Sequence, residues 1–238
     1  MSSFERLTGG GTFSAAELLA EADLASRAGD ARPYVFFNFV ESVDGRATID
    51  GSSRPLGGDG DLEMLLGLRT VADAVLIGPG TVRAEGYARL LSPARRPSPP
   101  LAVLISRRFD IPWEAGLFAA PDQPVVIYGP ADAGPVPDVA APVEVVRLQE
   151  CTPANALADL RARGVRALLS EGGPSLFGGF LAAGLVDELF LTLSPLLTGD
   201  GTQTAIVAGP RLAAPARFAL SWVLRSEDEL FLRYASAR

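Results

Sequence analysis

The sequence contains no histidine and no lysine, because all 21 of its basic residues are arginines. Without histidine there is no Ser-His-Asp or Cys-His catalytic group. Without lysine there is no Schiff-base enzyme, no pyridoxal phosphate anchor and no Walker P-loop. A single cysteine, Cys151, cannot supply an ordinary zinc-ligand set, so we expect no metal site. The remaining chemistry uses carboxylates, hydroxyls, backbone amides, arginine or a bound cofactor.

Positive charge and long apolar runs are also scarce. The formal net charge is −7, which disfavours binding to the negatively charged backbone of a nucleic acid. No apolar stretch approaches the roughly 18–20 residues of a membrane span, and residues 1–11 carry no signal core. One cysteine cannot form an intramolecular disulfide, which is compatible with a reducing compartment. We therefore expect a cytoplasmic protein that binds neither nucleic acid nor membrane.

The 238 residues are 48% hydrophobic, enough for a packed core. Apolar strand-like runs alternate with segments of helical spacing, and the last two runs flank a short polar turn. Strands are predicted at 34–40, 74–77, 101–105, 124–128, 143–148, 167–170, 188–193, 218–225 and 229–235. Helices are predicted at 15–28, 62–71, 153–163 and 176–183. The pattern is typical of an α/β protein with a mostly parallel sheet and a C-terminal antiparallel hairpin. We predict an N-terminal extension with a helix at 1–33, followed by a single domain at 34–238.

Three predicted strands are followed directly by small residues or arginine. The segments are Gly78-Pro79-Gly80-Thr81, Ser106-Arg107-Arg108 and Glu171-Gly172-Gly173-Pro174-Ser175. In an open α/β sheet, ligands bind at the carboxyl ends of strands, where helix N-termini direct N–H groups at anions. The two glycine turns suit a pyrophosphate, and either arginine suits a ribose 2′-phosphate. Neither turn matches the G-x-G-x-x-G fingerprint, so a dinucleotide would need a different fold from the Rossmann fold.

Two carboxylates are candidates for chemistry. Asp44 lies in the turn Ser42-Val43-Asp44-Gly45-Arg46, and Asp-Gly is also a common turn former. Glu171 emerges from an apolar strand, where a carboxylate needs a partner or a function. Alternatively, Glu171 bonds the backbone amides at the start of a helix. Thr81 is expected to cap the helix that follows the first glycine turn.

Five segments in order resemble the motifs of a known enzyme family. They are 42–46, 68–82, 171–176, 185–189 and 194–199. Together they make the chain similar to the reductase domain of bacterial riboflavin biosynthesis, the pyrimidine reductase family, which forms the C-terminal half of a bifunctional deaminase-reductase. The resemblance covers residues 34–235.

The resemblance implies a three-layer, dihydrofolate reductase-like fold with a central mixed sheet between helices. It also implies NADPH binding across the strand ends and reduction of the ribosyl group of 5-amino-6-(5-phosphoribosylamino)uracil, a small heterocyclic substrate, by hydride transfer. The protein would position the nicotinamide and exclude water. A homodimer is implied as well, and the hairpin at 218–235 is its expected self-contact.

Site residues follow from the resemblance by position. Asp44 and Glu171 would be the catalytic residues, lining the substrate pocket near the nicotinamide. Ser106 and Arg107 would face the adenosine 2′-phosphate and favour NADPH over NADH. The implied cofactor-binding residues are Gly78, Gly80, Thr81, Ser106, Arg107, Gly172, Gly173, Pro174, Ser175 and Leu176.

The sequence departs from the family pattern where substrate phosphate is held. Gly57-Gly58 and Leu62 replace a usual Ser-Gly and Arg, and Leu66 replaces a common His. The segment 85–90 replaces a family segment whose Thr and Arg help to bind phosphate. Arg89, Arg95 and Arg96 are candidate replacements.

These departures leave two alternatives open. One is an NADPH-dependent reductase of another heterocycle, such as dihydrofolate or a related pteridine, since Leu66 and Tyr87 suit a less charged substrate. The other is a nucleotide-binding module without turnover.

Overall fold

The structure is a computed structural model that describes residues 2–237. Its strands are β1 (Phe4–Arg6), β2 (Thr12–Phe13), β3 (Tyr34–Ser42), β4 (Ala74–Ile77), β5 (Leu101–Ile105), β6 (Val125–Pro130), β7 (Val143–Leu148), β8 (Ala167–Ser170), β9 (Glu188–Ser194), β10 (Phe218–Ser226) and β11 (Glu229–Ser236). Its helices are α1 (Ala15–Ala22), α2 (Asp59–Val71), α3 (Pro79–Glu85), α4 (Gly116–Ala119), α5 (Pro153–Ala162) and α6 (Pro174–Ala182), with a 3₁₀ turn at Leu24–Arg27.

The described residues form two compact units. The first unit comprises those within 1–23, 35–68 and 173–238, and the second comprises 24–34 and 69–172. Within 2–237, no helix has the length and apolar character that a membrane crossing requires.

The first unit is built on strands in the order β2-β1-β10-β11-β9-β3. Only β3 and β9 pair in parallel, and the other neighbours are antiparallel. The aromatic run of β3 forms much of the core, because residues on both of its faces are buried. The Phe37 ring lies 4.7 Å from that of Phe177 and 5.4 Å from that of Phe180, both on α6. Burial of such rings is a large part of what stabilises this unit.

The second unit is built on strands in the order β8-β4-β5-β6-β7, and every pair is parallel. All residues of β4 and β8 are buried. Continuous apolar runs of this kind are what a parallel strand covered on both faces requires. Because the strands are parallel and adjacent, their carboxyl ends meet at one edge of this sheet.

The α/β class, the mixed sheet and the C-terminal antiparallel hairpin are confirmed. The strands predicted at 74–77, 101–105, 143–148 and 167–170 have those bounds in the structure. The helix predicted at 15–28 is shorter: the Ser14 capping box begins it as expected, but Asp23 in the left-handed conformation ends it. The sequence reasoning missed β1 and β2, which pair within the first unit. The domain boundary at residue 33 stays a prediction.

One backbone approach in the first unit has no room for a side chain. A Cβ atom on Gly178 of α6 would lie 2.0 Å from the backbone oxygen of Ala208. The Ala208 amide also donates to the Pro174 carbonyl oxygen at 3.1 Å, so the segment around Ala208 is held against the helix. By contrast, a Cβ atom on the neighbouring Gly179 would have nothing within 4 Å.

Gly178→Ala is expected to lower the free energy of unfolding by about 1–3 kcal/mol, because the added methyl group forces backbone apart. The matched control, Gly179→Ala, should leave stability unchanged or raise it by up to about 1 kcal/mol, since alanine favours helix. Urea denaturation of both variants measures the difference. Equal midpoints would contradict the close contact with Ala208.

Candidate functional site

Three predicted ligand turns follow three adjacent strands of the second unit. Gly78 follows β4, Ser106 follows β5 and Glu171 follows β8, and the strand order is β8-β4-β5. Parallel pairing aligns Leu76 with Ser170 and Ile77 with Leu104, so the three chains leave the sheet at the same edge. The Glu171 amide donates to the Leu76 carbonyl oxygen at 2.9 Å. We call this carboxyl edge of the second unit the candidate site.

The turn after β4 presents open backbone. Gly78 is the N-cap of α3 in an extended conformation and provides no side-chain cap. A Cβ atom on Gly80 would meet nothing within 4 Å. The expectation that Thr81 caps this helix is wrong, because Pro79, with its φ preset for a first helical turn, starts the helix earlier and leaves Thr81 inside it.

The turn after β5 presents cationic side chains. Ser106 is buried, and its amide donates to the Tyr128 carbonyl oxygen at 2.9 Å. Arg107 and Arg108 are exposed, and neither forms an ion pair with any residue of 2–237. By contrast, Arg83 of α3 is paired with Asp110 at 2.6 Å. Arg107 and Arg108 are therefore available to an anion.

The Glu171 carboxylate is enclosed by two side chains. Arg69 Nε donates to Glu171 Oε1 and Arg69 Nη2 donates to Glu171 Oε2, both at 2.6 Å. The Tyr87 hydroxyl donates to Glu171 Oε2 at 2.6 Å. The side chains of Arg69 and Glu171 are only 13% and 5% exposed, so solvent screens the pair little. Its partners are thus side chains and not the helix-start amides.

Arg69 and Tyr87 have further constraints. Arg69 Nη1 donates to the Leu90 carbonyl oxygen at 3.0 Å, and the guanidinium lies 5.4 Å from the centre of the Tyr87 ring. Burial, and then the negative charge of Glu171, raise the pKa of Tyr87 well above its usual value. Tyr87 is therefore a hydrogen-bond donor at any physiological pH. The sequence analysis did not assign either residue to the site. The one feature that could have indicated Tyr87 is its position in segment 85–90, which replaces the family's phosphate-binding segment.

The second glycine turn is divided between the two units. Gly172 belongs to the second unit with Glu171, while Gly173, Pro174, Ser175 and Leu176 belong to the first. Gly173 is the N-cap of α6 and, like Gly78, provides no side-chain cap. The amides of Leu176 and Phe177 already bond the Gly173 carbonyl oxygen, at 3.0 and 3.1 Å.

Asp44 lies in the first unit as the centre of a network between two loops. It accepts hydrogen bonds from the Ser42 hydroxyl at 2.5 Å and the Thr198 hydroxyl at 3.0 Å. The amides of Thr198 and Gly199 add two more, at 3.2 and 3.0 Å. The hydrogen bond from Ser42 is the largest of the causes that hold the pKa of Asp44 well below its ordinary value. Asp44 is thus an ionised carboxylate that organises its loop, as the turn-former interpretation predicts.

A third carboxyl group, at the start of α2, escaped the sequence reasoning. Burial and the nearby Glu229 raise the pKa of Asp61 to about 6, although a hydrogen bond from Thr192 opposes the shift. Glu229 Oε1 accepts a hydrogen bond from the Gly58 amide at 2.8 Å. Glu229 therefore holds the turn that contains the family departures at Gly57 and Gly58.

Two candidate phosphate ligands are already in use in the second unit. Arg89 pairs with Asp122 at 2.8 Å and donates to the Pro97 carbonyl oxygen at 2.9 Å. Arg96 donates to the Ala72 carbonyl oxygen at 2.6 Å. Among the described residues, no cluster of three or more carboxylate or thiol groups is placed to hold a metal ion.

Comparison with known families identifies the family of this chain. The family model for the RibD C-terminal domain matches residues 33–228. The chain belongs to the RibD C-terminal domain family. The resemblance seen in the sequence motifs is thereby confirmed.

Relatives of this family include both fused and separate proteins. The chain is 34% identical over 178 residues to the riboflavin biosynthesis protein RibD of Mycobacterium tuberculosis, covering 73% of this chain and 45% of that protein. It therefore spans about half the length of the curated relatives it matches first. It is 29% identical over 187 residues to the 2,5-diamino-6-ribosylamino-4(3H)-pyrimidinone 5′-phosphate reductase of Methanothermobacter thermautotrophicus, covering 75% of this chain and 85% of that one.

A solved structure shows the same fold. The pyrimidine reductase-like protein of Corynebacterium diphtheriae superposes with a TM-score of 0.76 at 25% identity, covering 95% of this chain and 100% of that chain. The fold of that protein therefore extends over nearly the whole of this chain.

The low pKa of Asp44 predicts an acid-sensitive loop. Asp44 contributes fully to the stability of the folded protein above pH 3.8, its ordinary pKa, where it is also ionised in the unfolded state. This contribution is lost as the pH falls from there toward the lower pKa that Asp44 has in the folded protein. Asp44→Asn should therefore be less stable than the parent at neutral pH. The gap between their urea midpoints should narrow as pH falls from about 6 to about 3.

Asp138→Asn provides the control, since Asp138 is exposed in the second unit. The difference between the urea midpoints of Asp138→Asn and the parent should stay constant over the same pH range. A constant gap for Asp44→Asn as well would show that the charge of Asp44 does not hold the loop.

Proposed function

We propose that this chain is an NADPH-dependent reductase of the riboflavin pathway type, acting on a ribosylaminopyrimidine 5′-phosphate. The proposal rests on the family membership and on the name of the Methanothermobacter thermautotrophicus relative. The observation that carries it is the candidate site itself, where two turns suited to phosphate and one buried carboxylate follow adjacent strands. A ligand crevice at that edge is the general expectation for such sheets.

The residues present suit a dinucleotide phosphate. Gly78 leaves the α3 N-terminus without a side-chain cap and Gly80 leaves its backbone open, so a pyrophosphate oxygen can approach the amides. Ser106 and the exposed Arg107 offer a hydroxyl and a guanidinium for a 2′-phosphate. The second turn that we propose for the cofactor consists of Gly172, Gly173, Pro174, Ser175 and Leu176. Thr81 belongs to the first proposed turn. Bound NADPH would supply the hydride.

The chain then has to position the substrate and exclude water. We place Glu171 in the substrate pocket, where its carboxylate accepts hydrogen bonds from donors on the substrate. Asp44 holds the loop 42–46 against the loop 198–199 through its four hydrogen bonds, and its role toward the substrate stays part of this proposal. A carboxylate with so low a pKa is not a proton donor at neutral pH.

A second candidate substrate is an uncharged or less charged heterocycle such as dihydrofolate or another pteridine. The observation that favours it is the engagement of Arg89 and Arg96 within their own unit, which leaves fewer cations for a substrate phosphate. A nucleotide-binding module without turnover is the third possibility that the activity test separates.

The homodimer and the cytoplasmic location are also parts of this proposal. The self-contact proposed at 218–235 includes β10, whose Leu220 is 49% exposed. Light scattering tests it, and a monomer at working concentration would contradict it.

Purified protein is expected to consume NADPH when offered the deaminated phosphoribosylaminopyrimidine, and to leave NADPH unchanged with dihydrofolate. The measurement is the loss of NADPH absorbance with each substrate in parallel. Consumption with dihydrofolate alone would move the assignment to the second candidate. Binding of NADPH without turnover of either compound would favour a nucleotide-binding module.

Arg107→Ala is expected to raise the dissociation constant of NADPH about 10- to 100-fold, because a charge-assisted hydrogen bond to phosphate is lost. The dissociation constant of NADH, which lacks the 2′-phosphate, should change by less than about twofold. Cofactor fluorescence measures both without any substrate. Arg217→Ala, an exposed arginine just before β10, is the control. Equal weakening of NADPH and NADH would place Arg107 away from the 2′-phosphate.

A further inference from the structure

The hydrogen bonds of Glu171 leave an asymmetric carboxylate. A carboxylate offers about four acceptor positions, two on each oxygen. Oε2 accepts from Arg69 Nη2 and from the Tyr87 hydroxyl, whereas Oε1 has a single donor among residues 2–237, Arg69 Nε. One acceptor position therefore remains, and it lies on Oε1.

The two donors are themselves fixed. Arg69 is in the last turn of α2, and its third donor group bonds the Leu90 carbonyl oxygen. Tyr87 follows Gly86, whose left-handed conformation (φ 59°) ends α3 and turns the chain. A planar guanidinium that contacts both oxygens sets the plane of the carboxylate, and the tyrosine fills the oxygen that would otherwise be open.

We propose that Arg69 and Tyr87 are positioning residues that present a single open acceptor position, on Glu171 Oε1, to a hydroxyl or amino donor of the substrate. This rests on the proposed function, in which Glu171 lines the substrate pocket. Tyr87 lies in the segment that replaces the family's phosphate-binding segment. In this proposal its role is to orient a carboxylate. The ligand chemistry that fits is a neutral polyol or amine group, such as a ribosyl hydroxyl.

Tyr87→Phe is the decisive variant, because it removes one hydroxyl and opens a second acceptor position on Oε2. We expect kcat with the preferred substrate to fall about 10- to 100-fold, while the dissociation constant of NADPH stays within about twofold. Tyr128→Phe is the matched control, since the buried Tyr128 also donates to a carboxylate, that of Asp159 at 2.8 Å. It should lose stability as Tyr87→Phe does and keep its turnover.

The dependence on Glu171 is tested by a double-mutant cycle. In a Glu171→Gln background, adding Tyr87→Phe should change kcat by less than about twofold, because the group it orients is already altered. Arg69→Lys keeps the positive charge and loses the two-point contact, so it should lower kcat in the same way. Circular dichroism establishes that each variant is folded before its kinetics are read.

Three results would overturn the proposal while leaving the proposed function intact. They are an unchanged kcat for Tyr87→Phe, an equal loss in Tyr128→Phe, and a full further loss when Tyr87→Phe is added to Glu171→Gln. Failure of the proposed function is recognised separately, because the unmutated protein would then turn over neither substrate. That result would overturn the proposal for Glu171 as well.

Discussion

The ion pair between Arg69 and Glu171 connects parts of the chain that are 102 residues apart. It joins the end of α2 to the residue that follows β8. Tyr87, in the loop after α3, donates a hydrogen bond to the same carboxylate. Breaking a buried pair of this kind by removing one partner typically costs about 3–5 kcal/mol, since the remaining charge stays in a poorly solvated place. The position of the Glu171 carboxylate in the candidate site therefore depends on this cluster.

The acidic groups of the chain show how environment separates residues of the same type. Asp44 receives hydrogen bonds from two hydroxyls and two amides, which keep its pKa low. Asp61 loses solvation in a half-buried position near Glu229, and its pKa rises to about 6. Since a hydrogen bond to the charged form and loss of solvation act in opposite directions, only the local surroundings decide which carboxylate is ionised at a given pH.

Much of the fold could be predicted from the sequence because the relevant signals are local. The apolar runs at 74–77 and 167–170 are bounded by turn residues and gave the correct strands. The start of α1 followed from Ser14 and Glu17, whose capping box is within one turn. Local signals also failed where two of them competed: Pro79 began α3 before Thr81 could cap it. The strands β1 and β2 carry too few residues for a periodic pattern.

The sequence by itself determined the chemistry that this protein excludes, the α/β alternation, the family motifs and the turns that follow β4, β5 and β8. Only the tertiary structure decided what the candidate residues do. Arg89 and Arg96 bond to residues of their own unit, and Glu171 bonds to Arg69 and Tyr87. Arg107 and Arg108 form no ion pair within the part of the chain that the structure describes. The physical reason is that a side chain's role depends on its partners and solvation. In this chain those partners come from segments far apart in sequence, which no local pattern relates.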